Sequence, residues 1–282
     1  MNRWFQYIKE RFPLPVYMLL GCGYAFSGIA CALWPLPVME VFIATVLLLV
    51  FLFELRIMDE YKDREKDKIA HPTRPIPRGL FSEQEVARFI AYGLITMALL
   101  VLGLAFAGYV VTSALYCVVT IYLFLMYKEF FVGHWLGKRP FLYAITHQPI
   151  GALLALAATA LVAPHTVFTQ TPVSYAVTTL GGFFAYEVAR KLNPNAHPLL
   201  QTYVVVAGHK KTFVAFFISL ATAIAGLFLM GMPGWILALP IFTACSFLIL
   251  FWKPHFYKAV EGITTFNLIV CVWAGVILHY LK

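Results

Sequence analysis

Apolar residues run through this chain in long, nearly unbroken stretches. Nine of them lie near 14–34, 37–58, 87–109, 110–131, 141–163, 173–189, 212–230, 232–252 and 259–280. Each is close to the roughly 20 residues a helix needs to cross about 30 Å of hydrocarbon. The third and fourth runs abut at Gly108-Tyr109, and the seventh and eighth at Gly231-Met232-Pro233-Gly234, so tight turns are expected there. Only the segments near 59–86 and 190–211 are long enough to carry structure of their own. The pattern predicts an all-α, polytopic membrane protein with nine transmembrane helices, forming a single integral-membrane domain over residues 1–282.

Composition strengthens this picture. Hydrophobic residues make up 61% of the chain and charged residues 12%, against about 25% charged in a soluble domain. Mean hydropathy is +0.81. With the N-terminus in the cytoplasm, 20 of the 21 Lys and Arg residues fall on the inner side, and only Lys282 does not. The positive-inside rule demands such an asymmetry. The expected topology is multi-pass in a cytoplasmic or inner membrane, with the N-terminus cytoplasmic and the C-terminus outside. The start of the chain resembles a signal-anchor: basic residues precede an apolar run that merges into the spans.

The net charge of +8 then requires no nucleic acid, because basic loops facing an anionic leaflet account for it. Trp34 and Trp235 fall near the outer boundary and Trp4, Trp135 and Trp252 near the inner one, as interfacial anchors do. The five cysteines sit inside predicted spans without metal-ligand spacing and read as small packing residues. The two long loops follow spans two and six and share one face. This suggests two quasi-equivalent halves, spans two to five and six to nine, with a site where they meet.

One segment breaks the oily pattern. Met58 to Gly79 reads MDEYKDREKDKIAHPTRPIPRG, and 5 of the 13 acidic residues lie between Asp59 and Asp67. Asp59, Asp63 and Asp67 are spaced i, i+4, i+8, so a helix continuing from span two carries them on one face. Like charges in a row repel unless something positive lies among them. Mg²⁺ prefers oxygen ligands and uses one or two carboxylates together with substrate phosphates, so this ladder suits a metal-bridged diphosphate. Lys62, Arg64, Lys66 and Lys68 alternate with the acids, and a solvated, salt-bridged helix extension would also account for them. The continuation favours the ligand site: prolines define the turn, and Arg74 and Arg78 offer forked donors to phosphate oxygens.

The ladder Asp59-Glu-Tyr-Lys-Asp63-Arg-Glu-Lys-Asp67, followed by Arg74-Pro-Ile-Pro-Arg-Gly79, resembles the first motif of the UbiA family of intramembrane prenyltransferases. That motif is Asn-x-x-x-Asp-x-x-x-Asp at the end of the second helix, then a short Arg-Pro-containing turn. Tyr127-Lys128 and Lys138-Arg139-Pro140-Phe141 are similar to the family's tyrosine-to-lysine/arginine segment after the fourth span. The resemblance covers essentially the whole chain. It implies nine helices around a central cavity and Mg²⁺-dependent transfer of a prenyl group from a polyprenyl diphosphate to a small-molecule acceptor, commonly aromatic, at the lipid bilayer.

Two departures stand out. Asp59 replaces the family's Asn. The second Asp-x-x-x-Asp motif, expected after span six, is missing: Val188 to Val260 contains no Asp or Glu. In its place stands Tyr186-Glu187-Val-Ala-Arg190-Lys191, which suggests a divergent branch. Glu187 lies near the inner end of an oily span, where an ionisable group points to function. Arg190 and Lys191 are three and four residues on, and a local ion-pair cluster would also explain the group.

The resemblance implies that Asp59, Asp63 and Asp67 hold metal, with Asp63 and Asp67 catalytic, and that Arg74, Arg78 and Lys128 hold the diphosphate; where the chain departs from the family, Glu187 is read as a further metal ligand and Arg190 and Lys191 as further diphosphate ligands. Asn193, Asn195 and Gln201 are neutral donors nearby. Glu54 and Arg56 are expected as a snorkelling pair. His147 and Gln148 either bond between helices or touch the acceptor. Two alternatives remain at this stage: transfer of a phosphoribosyl-type group to a polyprenyl phosphate, and a non-catalytic lipid-binding or transport bundle.

Overall fold

The computed structural model describes residues 2–200 and 202–281, so Gln201 and Lys282 lie outside the described residues. The chain forms helices α1 (Arg3–Arg11), α2 (Leu14–Ala30), α3 (Val38–Lys62), α4 (Arg64–Ala70), α5 (Glu83–Phe106), α6 (Val110–Tyr127) and α7 (Gly133–Gly137). It continues with α8 (Pro140–His147), α9 (Pro149–Ala160), α10 (Gln170–Ala189), α11 (Tyr203–Leu229), α12 (Gly234–Phe247), α13 (Tyr257–Val272) and α14 (Ala274–Leu281). The protein is an all-helical polytopic membrane bundle.

Among the described residues, six helical stretches are long and apolar enough to cross a membrane: α3, α5, α6, α8 with α9, α11, and α12 with its 3₁₀ extension to Phe251. Two bent pairs pass the same test, α1 with α2 at 63° and the segment Pro254–Val272 with α14 at 64°. The remaining predicted span is α10, 20 residues long. It is less apolar than the others because its inward face is built from buried Ser174, Thr178 and Thr179. Hydroxyls of this kind turn back onto helical carbonyls, as Thr178 does to Ser174 at 2.9 Å, and so can be buried without cost in unpaired donors.

Local chemistry explains the boundaries. Pro140 and Pro149 open α8 and α9, where a missing N–H leaves nothing unsatisfied. Ser82 and Glu85 form a reciprocal cap on α5. Both expected tight turns are present, with Gly108 at φ 88° and Gly231 at φ 81°, a region that costs glycine no Cβ clash. The bonds Tyr109 N–H to Leu104 O and Met232 N–H to Leu227 O close these helix ends at 2.9 and 3.0 Å. Between α10 and α11 the backbones touch. A Cβ on Gly181 would come within 2.3 Å of Ala223 N, and one on Gly226 within 2.6 Å of Thr178 N. Small residues at such a contact are how membrane helices pack without a hydrophobic drive between them.

The outward faces carry exposed Phe42, Leu99, Phe106, Phe217 and Phe242, a surface that belongs in lipid. The larger apolar core gathers residues of α2, α3, α5, α6, α9 and α14, and a second core joins α8, α10, α11, α12 and α13. The cavity described next opens at the basic-loop end, where these two cores meet.

Candidate active site

The acidic stretch begins as a direct continuation of α3, as its spacing predicts. Asp63 then interrupts the helix with φ −87° and ψ 0°, capping α3 and starting α4. The break does not scramble the register. Asp63 N–H bonds Asp59 O at 3.0 Å, and Asp67 N–H bonds Asp63 O at 2.9 Å, so the three carboxylates stay on one side. All three line a single cavity of about 830 Å³.

The two faces of this segment separate the two readings that the sequence left open. On the outer face Arg64 donates to Glu83 at 2.9 Å, and Lys68 pairs with Glu65 at 3.0 Å and Glu83 at 3.1 Å. That face is a salt-bridged helix surface. The inner face holds the ladder, and its members differ. Asp67 is 2% exposed and bonded through both oxygens to Arg74 Nη1, at 2.7 and 2.6 Å. Asp59 faces Lys62 at 3.3 Å. The Asp63 carboxylate makes no hydrogen bond or ion pair among the described residues. Burial pushes its carboxyl above the usual range and Asp59 adds to this, while Lys62 and Lys66 pull the other way.

The opposite wall is the end of α10. Glu187 binds Arg190 Nε through Oε2 at 2.5 Å and Lys191 Nζ through Oε1 at 2.7 Å. Both of its oxygens are therefore committed to cations, and all three residues line the cavity. The local-cluster reading of Glu187 describes its contacts, and its effect is to hold two cations at the rim. Asn193 lines the cavity as well, with its side-chain oxygen accepting from the Asn195 N–H at 2.9 Å.

Two expected diphosphate ligands are placed elsewhere. Arg78 turns outward, bonding Glu10 at 3.0 Å and Thr73 O at 3.0 Å, because the proline-rich turn folds Arg74 back onto Asp67 and leaves Arg78 on its far side. Lys128 lies over the rings of Phe124 and Tyr127, at 5.8 and 4.6 Å, and does not line the cavity. Arg139 likewise stacks on Trp135 at 4.2 Å. The expected Glu54–Arg56 pair does not form. Arg56 pairs with Glu60 at 2.5 Å, one helical turn away, and Glu54 is 2% exposed in a notch beside Gly93.

Several site residues escaped sequence reasoning. Glu60, 2% exposed, gathers Arg56 and, from α1, Arg11. Tyr143 joins the two walls: Lys62 donates to its hydroxyl at 2.9 Å, and Lys191 stands 6.0 Å above its ring. Glu129 enters the rim through a left-handed turn, with φ near 49°, 53° and 59° at Glu129, Phe130 and Phe131. Single aromatic, arginine and glutamate residues spread over separate elements carry no periodic signal. Only the helical spacing of Tyr143 and His147 could have pointed to one face.

From this rim the cavity runs inward between Leu48, Phe51, Leu55, Ile150, Leu154 and Phe183. The arrangement is a charged mouth over an apolar depth. Among the described residues no three His, Cys, Asp or Glu side chains converge as a ready-made metal cage. Mg²⁺ does not require one, since it keeps waters and takes one or two carboxylates plus substrate phosphates. Asp63, unpaired, with Asp59 beside it fits that use. Asp67 and Glu187, already saturated by cations, fit it less well.

Comparison with known proteins agrees with this architecture. The sequence model of the UbiA prenyltransferase family matches residues 16–273. A structure described as digeranylgeranylglyceryl phosphate synthase in membranes is similar with TM-score 0.64 and 15% identity, covering 97% of this chain and 100% of that chain. The apo structure of a UbiA homolog from Aeropyrum pernix K1 is similar with TM-score 0.62 and 15% identity, covering 94% and 98%. No curated protein matches the chain.

Proposed function

The chain belongs to the UbiA prenyltransferase family, and on that footing we propose that it transfers a prenyl group from a polyprenyl diphosphate to an aromatic or lipid-like acceptor inside the membrane. One observation carries this reading: a carboxylate ladder and a two-cation cluster face each other across the mouth of one cavity whose depth is apolar. A long isoprenoid needs the depth, and a diphosphate needs the mouth. A Mg²⁺ ion held by Asp59 and Asp63 would supply positive charge to the diphosphate oxygens as the allylic C–O bond breaks.

The chain's own cations do the rest. Arg190 and Lys191 are fixed by Glu187, and Arg74 by Asp67. Their positions are thus set before charge develops on the leaving group, which is where preorganised donors contribute most. The site is lopsided: Asp59 and Asp63 on the α3–α4 wall would hold the metal, while the α10 wall offers the cations Arg190 and Lys191. Phe51, Leu55, Ile150 and Phe183 line the passage below and keep water from an allylic cation, limiting hydrolysis.

The test is Mg²⁺-dependent diphosphate release from ten- to twenty-carbon allylic diphosphates by the full chain in lipid, with product masses recorded. Release with prenylated products is expected. Absence of release across the panel with a variety of hydroxyaromatic acceptors would refute the donor assignment, and a sugar-phosphate product would favour phosphoribosyl-type transfer.

A further inference from the structure

We infer that His147 takes up the acceptor: the acceptor presents a hydroxyl to His147 Nε2, and this nitrogen receives the acceptor's proton during transfer, an inference that rests on the prenyl-transfer reading above. His147 closes α8 at a break in the membrane, immediately before Gln148 and Pro149. Pro149 brings no N–H to the helix there, while Gln148 keeps helical angles at φ −78° and ψ −27°, and His147 lines the cavity. The cavity-lining residues of α8 and α9 run in order from Tyr143 at the charged mouth, through His147, to Ile150 and Leu154 in the apolar depth. A donor with its diphosphate at the mouth and its tail in the depth therefore places its allylic carbon at the level of His147.

The ring is held and its tautomer set. Nδ1 lies 2.7 Å from the Tyr143 carbonyl, which can only accept, so Nδ1 carries the proton and Nε2 has a free lone pair. The Tyr143 ring stacks on the imidazole at 4.0 Å and 12°, and Phe130 meets it edge-on at 5.6 Å. Nε2 is nevertheless buried with no hydrogen-bond partner. A buried acceptor left unpaired is costly and calls for an explanation, and a hydroxyl-bearing ligand supplies one. One helical turn on, Gly151 lets the Tyr24 hydroxyl approach the α9 backbone: a Cβ there would come within 2.9 Å of it.

The step balances. The C–O bond to the diphosphate breaks and both electrons leave with it. The allylic carbon bonds the oxygen, or an activated ring carbon, of the acceptor. The proton displaced there passes to Nε2, and the imidazolium returns it to the released diphosphate.

The probes are 1-naphthol and 1-methoxynaphthalene, which differ in the O–H, titrated into the full chain in lipid nanodiscs. Wild type should bind the naphthol about tenfold more tightly, one net hydrogen bond's worth. In His147→Asn the amide still reaches the Tyr143 carbonyl but leaves nothing at Nε2, and the preference should fall to within about twofold. His147→Gln returns an oxygen to that reach and should recover part of it. Binding of Mg²⁺ with inorganic diphosphate should be unchanged in both variants, which also reports folding. Independently of any variant, the naphthol and not its ether should protect wild-type His147 from carbethoxylation. Equal affinities in wild type, a preference that persists in His147→Asn, or equal protection by both probes overturns the inference. If the preference stands while no allylic diphosphate is turned over, the donor reading falls and the hydroxyl site survives.

Discussion

Asp63 and Glu187 are both carboxylates at helix ends on the rim of one cavity, yet their surroundings give them opposite roles. Glu187 is neutralised twice over, while Asp63 is half-buried beside a second carboxylate with no cation bound. Asp63→Asn should therefore lower turnover by about 100-fold or more and abolish Mg²⁺-dependent diphosphate binding, with folding intact. Glu187→Gln should cost about tenfold, through looser Arg190 and Lys191, and Arg190→Ala should weaken diphosphate binding itself. Titration of Mg²⁺-diphosphate into the three variants checks this order. Wild-type-like binding by Asp63→Asn would return the stretch to a salt-bridged helix. Asp67 should behave differently from Asp63. It is 2% exposed and tied to Arg74, and breaking a buried pair from one side typically costs about 3–5 kcal/mol. Asp67→Asn should thus lower the thermal midpoint as well as activity, and an unshifted midpoint would show that the pair is dispensable for folding.

Helices position these residues through their breaks as much as through their lengths. The pause at Asp63 keeps the i+4 bonds, which is why the ladder survives a change of helix. The break before Pro149 puts His147 at a helix end, and Gly208, at φ 77°, interrupts α11 near its start. By contrast, the α10–α11 contact is continuous, and it holds the α10 end that presents Glu187, Arg190 and Lys191. Gly181→Val would force side-chain atoms into the α11 backbone, 2.3 Å from Ala223 N at the first added carbon. Overpacking of this kind costs about 1–3 kcal/mol. Heat denaturation in nanodiscs should show a lowered midpoint together with weakened diphosphate binding. Retention of both would mean that the two helices can separate without disturbing the site.

At the scale of the whole molecule, a polar rim and an apolar depth divide the donor between them. Affinity should rise with tail length from ten to twenty carbons, at up to about 0.8 kcal/mol per buried methylene, as read by competition against one labelled donor. A flat series would mean that the tail lies outside the depth. The basic loops and the mouth share one end of the bundle. If that end is cytoplasmic, cysteines placed at the exposed positions Ser82 and Asn195 should resist an impermeant reagent applied from outside, while one at Thr169 reacts. Labelling of either inner position would reverse the orientation.

Much of this was legible in the chain because it rests on repeating, local constraints. Spans of about 20 apolar residues, the tight glycine turns and the i, i+4, i+8 acids follow from helix geometry and the cost of unpaired backbone in lipid. That determined the bundle, the ladder on one face and the end at which the mouth would lie. Pairing was decided only in three dimensions. Whether Arg74 or Arg78 turns inward, whether Arg56 finds Glu54 or Glu60, and whether Lys128 reaches the cavity depend on loop paths and on which helix lies opposite. Arg11 of α1 and Tyr143 and His147 of α8 enter the site from helices far apart in sequence. No spacing rule links Lys62 to Tyr143 across 81 residues, and only packing brings them together.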